Sequence, residues 1–231
     1  MRISRFGRPG GERPAIVDNA GKRRDCSAWV ADWTPAVLGG GILADLAKRD
    51  LATLPQVAEG ERWASCVPRP GKVVCIGLNY RDHAAESGMP IPAEPIIFLK
   101  AANTVVGPYD EVRIPRRSTK TDWEVELGVV IGREARYLAS PADAIHHIAG
   151  YCISHDVSER EFQLERGGQW TKGKSCDTFN PLGPWLATPD EITDPQKLAM
   201  TLDVNGRRAQ TGNTATMIFP VAFFAGMTLP L

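Results

Sequence analysis

Two glutamates stand two positions apart inside an otherwise apolar run, Asp122-Trp123-Glu124-Val125-Glu126-Leu127-Gly128-Val129-Val130-Ile131-Gly132. A run this rich in β-branched residues reads as a strand. On a strand, residues two apart point to the same face, so Glu124 and Glu126 project together while Val125 and Leu127 face the other way. Two carboxylates on one face repel each other and lose hydration on burial, so the fold must set them against solvent or a cation. A solvated strand edge meets the first condition. A hard divalent cation such as Mg²⁺, which takes oxygen ligands, meets the second. This segment alone leaves both open.

Composition narrows the surroundings. At 231 residues the chain has room for one large domain, or one domain with a small appendage. Lys plus Arg and Asp plus Glu both number 27. That balance gives no electrostatic ground for nucleic acid or an anionic membrane as partner. No apolar run approaches the ~18 residues of a bilayer span. The first nine residues hold no apolar stretch of secretory length. The five cysteines are odd in number and widely spaced, with no CxxC pair, which fits reduced thiols in the cytoplasm. The expectation is a cytoplasmic protein acting on a small molecule.

Along the chain, residues 15–17 read as a strand turning at 19–21, and residues 42–52 carry apolar side chains at helical spacing. Pro68-Arg69-Pro70-Gly71 has linker composition. This predicts a small N-terminal domain over 1–67 and a main domain over 68–231. In the latter, strands are expected at 73–77, 96–100, 124–131 and 147–154. A late hairpin is expected from 185–186 and 198–204, turning at Asn205-Gly206. Helices are expected at 81–87, 141–146 and 158–166. The fold class is α+β and β-rich.

Three further segments carry chemistry. In Ser154-His155-Asp156-Val157-Ser158-Glu159-Arg160, Asp156 closes an apolar strand and is either a third oxygen ligand or, with Ser158, the cap of a following helix. Gly168-Gln169-Trp170-Thr171-Lys172-Gly173-Lys174-Ser175 matches GxxxxGK[ST] letter for letter. It lies late in the chain with no long helix after it, so Lys174 reads better as a cation beside the carboxylates. In Asn79-Tyr80-Arg81-Asp82-His83-Ala84-Ala85-Glu86, His83 and Glu86 are helix neighbours at i and i+3. The pair is either a base for water with its orienting carboxylate, or an incidental surface pair. His146, His147 and His155 have no such partner and read as structural.

Taken in order, these segments resemble the fumarylacetoacetate hydrolase family. The match includes Gly77-Leu78-Asn79-Tyr80 with His83 and Glu86, then Glu94-Pro95 and Phe98-Leu99-Lys100. It continues through Glu124-Val125-Glu126-Leu127-Gly128, His155-Asp156-Val157-Ser158-Glu159-Arg160-Glu161-Phe162-Gln163, Lys172-Gly173-Lys174-Ser175, Val204-Asn205-Gly206 and Met217-Ile218-Phe219. It spans roughly residues 70–219. The stretch from Arg160 to Trp170 is similar to the branch of diketo-deoxy-sugar-acid hydrolases, often called ureidoglycolate lyases.

The resemblance implies a mixed β-sandwich roll with a small N-terminal domain, usually as a homodimer. It implies Mg²⁺ or Mn²⁺ on Glu124, Glu126 and Asp156, and substrate contacts from Lys174, Arg160 and Gln163. His83 and Glu86 would lie on a lid and activate water. The implied reaction is hydrolysis of the C–C bond of a 2,4-diketo acid with release of pyruvate, Lys174 stabilising the enolate. The alternatives are a ureidoglycolate lyase, a keto-acid decarboxylase or isomerase of the same family, and an inactive metabolite-binding remnant. The family continues past Met217-Ile218-Phe219 to a Thr-Gly-Thr-Pro loop, whose threonine holds the substrate carboxylate, and to closing strands. Here Met227-Thr228-Leu229 is followed by Pro230 and Leu231, so the main domain is expected to be C-terminally incomplete relative to the family.

Ser87-Gly88 and Pro90-Ile91-Pro92 give the lid few apolar anchors. Amides of residues 80–92 should therefore exchange rapidly with deuterium in the ligand-free protein and slow down with a keto acid bound. Strong protection without ligand would contradict a mobile lid.

Overall fold

The structure is a computed structural model and describes residues 1–226; the Met227-Thr228-Leu229 segment lies outside the described residues. The strands are β1 (Arg2–Phe6), β2 (Arg13–Val17), β3 (Arg23–Asp25), β4 (Trp63–Ala64), β5 (Val73–Gly77), β6 (Ile96–Lys100) and β7 (Val105–Val106). They continue as β8 (Thr121–Asp122), β9 (Val125–Ile131), β10 (Ile148–His155), β11 (Ser158–Glu159), β12 (Asn180–Ala187), β13 (Ala199–Val204) and β14 (Arg207–Asn213). The short helices are α1 (Pro35–Gly39), α2 (Ile42–Leu46), α3 (Arg81–Glu86), α4 (Thr171–Lys174) and α5 (Val221–Gly226). The fold is mixed α+β and strand-rich.

One large sheet runs β3-β2-β1-β12-β10-β9, with β4 on β1 and β7 on β12. The β1–β12 pairing joins residues 1–67 to the rest without a break in the sheet. Its two faces explain the apolar patterns. Ile3, Ile16, Cys152, Leu182 and Leu186 meet Trp33, Leu38 and Leu46 on one side. Ile148, Tyr151, Leu127 and Val129 meet Val221, Ile192 and Met217 on the other. β5–β6, β8–β11 and β13–β14 form separate two-stranded sheets. The β13–β14 turn is Asn205-Gly206, both residues at positive φ, as a tight hairpin of this kind requires. Among the described residues no helix is long and apolar enough to cross a membrane.

Three segments differ from the sequence expectation. The helix expected over 42–52 ends at Leu46, and a separate turn starts at Leu51 because the Asp50 carboxylate accepts from the Ala52 N–H at 2.9 Å and caps it. The helix expected over 158–166 is reduced to a wide turn at Glu161–Glu165, since Ser158 and Glu159 are engaged with Asp122 and Thr121 as strand β11. The strand expected at 185–186 extends over all of Asn180–Ala187 despite Pro181 and Pro184.

Leu186 is fully buried on β12, a central strand that bonds both β1 and β10. Leu186→Ala is expected to lower unfolding stability by ~2–5 kcal/mol, the usual cost of such a core truncation. Denaturant titration followed by tryptophan fluorescence measures it; a loss under ~1 kcal/mol would show that this core does not close the sheet.

Candidate active site

The antiparallel register of β9 and β10 brings the acidic residues together. Val125 lies opposite His155 and Glu126 opposite Ser154, so Glu124 sits level with Asp156, just past the end of β10. The Asp156 N–H donates to the Glu124 carbonyl at 3.0 Å and locks that level. One oxygen each from Glu124, Glu126 and Asp156 then lies within 4.8 Å of the others. Asp156 is buried, while Glu124 and Glu126 are half-buried and face a cleft of about 460 Å³.

Three cations answer these acids. The Lys174 ammonium donates to Glu124 Oε2 at 2.6 Å and to Asp156 Oδ2 at 2.9 Å. The Lys100 ammonium, wholly buried, donates to Asp156 Oδ1 at 2.6 Å and to the Val157 carbonyl at 3.1 Å. Arg160 Nη2 bridges Glu124 Oε1 and Asp122 Oδ2, both at 2.7 Å. Arg160 Nη1 donates to Gln163 Oε1 at 3.0 Å. Four carboxylates (Asp122, Glu124, Glu126, Asp156) thus face three cations, leaving one negative charge in excess. Glu126 is the carboxylate with no hydrogen bond, and burial together with Asp156 and Glu124 pushes its pKa well above the usual 4.5. Burial alone would lower the Lys174 pKa, but Glu124, Asp156 and Glu126 outweigh it and hold the ammonium charged. An unbonded carboxylate oxygen beside two others, where acids outnumber cations, is a donor set that fits one divalent cation.

Gly173 explains how Lys174 gets there. A Cβ at this position would lie 2.3 Å from the Glu159 carbonyl and 2.5 Å from the Gln163 nitrogen. Only glycine lets α4 press against this backbone and deliver Lys174 beneath the carboxylates. The Gly-Lys-Ser letters therefore serve close packing. α4 is four residues long, so no long helix opens there to receive a phosphate.

His83 and Glu86 both line the cleft and are exposed on α3, with no hydrogen bond between them. The root of this segment is anchored. Asn79 exchanges side-chain bonds with the Phe219 backbone at 2.9 and 3.0 Å, Ile218 N–H donates to the Asn79 carbonyl at 2.8 Å, and Thr216 Oγ1 donates to Asp82 Oδ1 at 3.0 Å. Beyond the buried Ala84, residues 85–94 are exposed apart from Pro92. Sequence reasoning gave no role to Lys100, to Asp122, or to the β13–β14 hairpin, which supplies Met200 and Gln210 to the cleft wall. For Lys100 a signal was present: a charged residue ending the apolar strand Ile96-Ile97-Phe98-Leu99-Lys100.

A strand-rich scaffold thus carries an acidic cluster and the Lys174 ammonium in one cleft. Residues 72–226 match the fumarylacetoacetate hydrolase C-terminal family. A hydrolase-class relative from Burkholderia cenocepacia is 54% identical over 222 residues, 96% of this chain and 78% of the relative. The fumarylacetoacetate hydrolase of psychrophilic Exiguobacterium antarcticum superposes with a TM-score of 0.83 at 32% identity, over 98% of this chain and 80% of that one. Maleylpyruvate hydrolase from Sphingobium sp. SYK-6, solved with manganese(II) and pyruvate, gives a TM-score of 0.79 at 26% identity, over 98% and 81%. The chain belongs to the fumarylacetoacetate hydrolase family.

The raised Glu126 pKa has a signed consequence. Between the ordinary value and the raised one, the folded state holds a proton that the unfolded state has released, so stability falls as pH rises through that window. In metal-free protein, Glu126→Gln should melt close to wild type near pH 5 and increasingly above it toward pH 8. Parallel melting curves across that range would refute the shift.

Proposed function

We propose that this chain is a divalent-cation-dependent hydrolase that cleaves the C–C bond of acylpyruvate-type 2,4-diketo acids, 2,4-diketo-3-deoxy sugar acids among them, and releases pyruvate. The observation that carries this reading is the Lys174 ammonium seated between Glu124 and Asp156, next to the unbonded Glu126. It sets a fixed positive charge beside a site for a metal, where a keto acid can bring its carboxylate and 2-oxo group. The Sphingobium neighbour with manganese(II) and pyruvate supports the same pairing of cation and product class.

Glu124, Glu126 and Asp156 would hold Mg²⁺ or Mn²⁺, which would supply Lewis acidity toward the keto-acid oxygens. The chain's own residues do the rest. His83, on α3 in the same cleft, takes a proton from water as the oxygen attacks C4, with Glu86 closing on it to steady the imidazolium. The C3–C4 bond breaks, its electron pair passes to the pyruvate fragment as the enolate, and the acyl carbon leaves as a carboxylic acid. Lys174 donates to the enolate oxygen, and the proton that His83 took from water passes to C3, which yields pyruvate and restores the neutral imidazole. Arg160 and Gln163 orient the substrate from the same side of the cleft.

A second reading, a decarboxylase or isomerase of related keto acids, gains from one observation: His83 and Glu86 are not bonded to each other, so a water-activating pair is not assembled in this conformation. Such reactions need the same cation and no attacking water. Assay of a 2,4-diketo acid with Mg²⁺ or Mn²⁺ separates the two. His83→Ala should lower hydrolysis by ~10²–10⁴-fold with metal affinity unchanged. Lys174→Ala should weaken both substrate binding and turnover, and Lys174→Arg should not restore them, since a planar fork cannot replace a compact ammonium. Full hydrolysis in His83→Ala would remove the water-activating role, and turnover confined to decarboxylation or isomerisation would establish the second reading.

A further inference from the structure

Among the described residues β9 is an outer strand of the large sheet, with β10 on one side only. The N–H and C=O of Val125 point away from β10, where no described strand pairs with them. Buried main-chain groups need partners. Here the partner is one side chain: the Val125 N–H donates to Gln210 Oε1 at 2.8 Å, and Gln210 Nε2 donates to the Val125 carbonyl at 3.3 Å. The carboxamide serves Val125 as a neighbouring strand would.

The position of this contact gives it meaning. The Val125 N–H belongs to the peptide plane attached to the Glu124 Cα, and the Val125 C=O to the plane attached to the Glu126 Cα. Holding both planes fixes the directions in which the two glutamates leave the backbone. A second feature of the fold serves the same contact. In the β13–β14 hairpin, Leu202 pairs with Gln210 but Asp203 pairs with Arg208, so Ala209 is an extra residue. A bulge of this kind bends its strand and re-aims the next side chain.

We propose that Gln210 is a positioning residue for the carboxylate site: its carboxamide, aimed by the bulge at Ala209, clamps Val125 so that Glu124 and Glu126 converge on one cation. This rests on the cation reading given above. Gln210 is not one of the three acidic groups; it acts through the backbone between two of them.

The test is Mn²⁺ binding to the full chain, followed by electron paramagnetic resonance of free Mn²⁺, together with amide exchange at Val125. Gln210→Met keeps the side-chain volume and removes both hydrogen bonds. It should weaken Mn²⁺ binding by about 10- to 100-fold, the range for groups that orient ligands, and should speed exchange of the Val125 amide. Gln210→Asn keeps the amide but is one methylene short, and should show the same loss. Arg207→Ala, exposed on the same hairpin, should leave both readouts at wild-type values. Should Gln210→Met not fold, Gln210→Asn carries the measurement alone. A lower melting temperature with Mn²⁺ affinity intact would mean that Gln210 only stabilises the fold, and would overturn the proposal while leaving the cation reading in place. Wild-type protein that takes up no Mn²⁺ would instead overturn the cation reading, and the clamp's role with it.

Discussion

Asp156 is held from both sides by buried ammonium groups, Lys100 on one oxygen and Lys174 on the other. The rest of the site depends on this triad. A carboxylate 2% exposed is costly unless it is paired, and so is each lysine. Three elements distant in sequence are therefore bound to one point: the end of β6 through Lys100, the end of β10 through Asp156, and α4 through Lys174. Removing any one member leaves uncompensated charge in the interior, a loss of a few kcal/mol for a broken buried pair. Both oxygens of Asp156 and both of Glu124 are bonded to cations, so Glu126 is the member of the acidic cluster that is held least.

Much of this was legible in the sequence where a local rule applied. The Glu124–Glu126 alternation carries its own meaning because strand periodicity is two, and the β9 assignment placed both on one face. Asp156 and Lys174 were legible as chemistry, but not their mutual distance, which follows from the β9–β10 register and from Gly173. Lys100 gave only a partial signal: a lysine ending an apolar strand stands out, but its role depends on a partner 56 positions away. Gln210 was invisible for a similar cause, since a clamp on a main-chain group has no residue-type signature. β1 was also missed. Its buried positions include Ser4 and Arg5, and Arg5 is inside only because Asp32 pairs with it at 2.8 Å.

The N-terminal segment shares its sheet with the rest of the chain. β1 pairs with β12, and Trp33 donates to the Ser4 carbonyl at 2.7 Å within the core that both contribute to. The same core backs β10 through Ala149 and Cys152. Stiffness in the strand that ends at Asp156 is thus supplied partly by residues far from the cleft in sequence.

The reciprocal bonds between Asn79 and the Phe219 backbone have a mechanical consequence. They pin one end of α3 and leave the other end in solvent. A rod pinned at its base moves as a lever. Six helical residues span ~9 Å, so a rotation of roughly 20° about the Asn79 pivot carries the far end through ~3 Å. His83 lies partway along this rod and Glu86 at its end, so the same rotation displaces the glutamate farther than the histidine. Any rotation at this root would therefore change their separations from the carboxylates by different amounts, the glutamate's more than the histidine's.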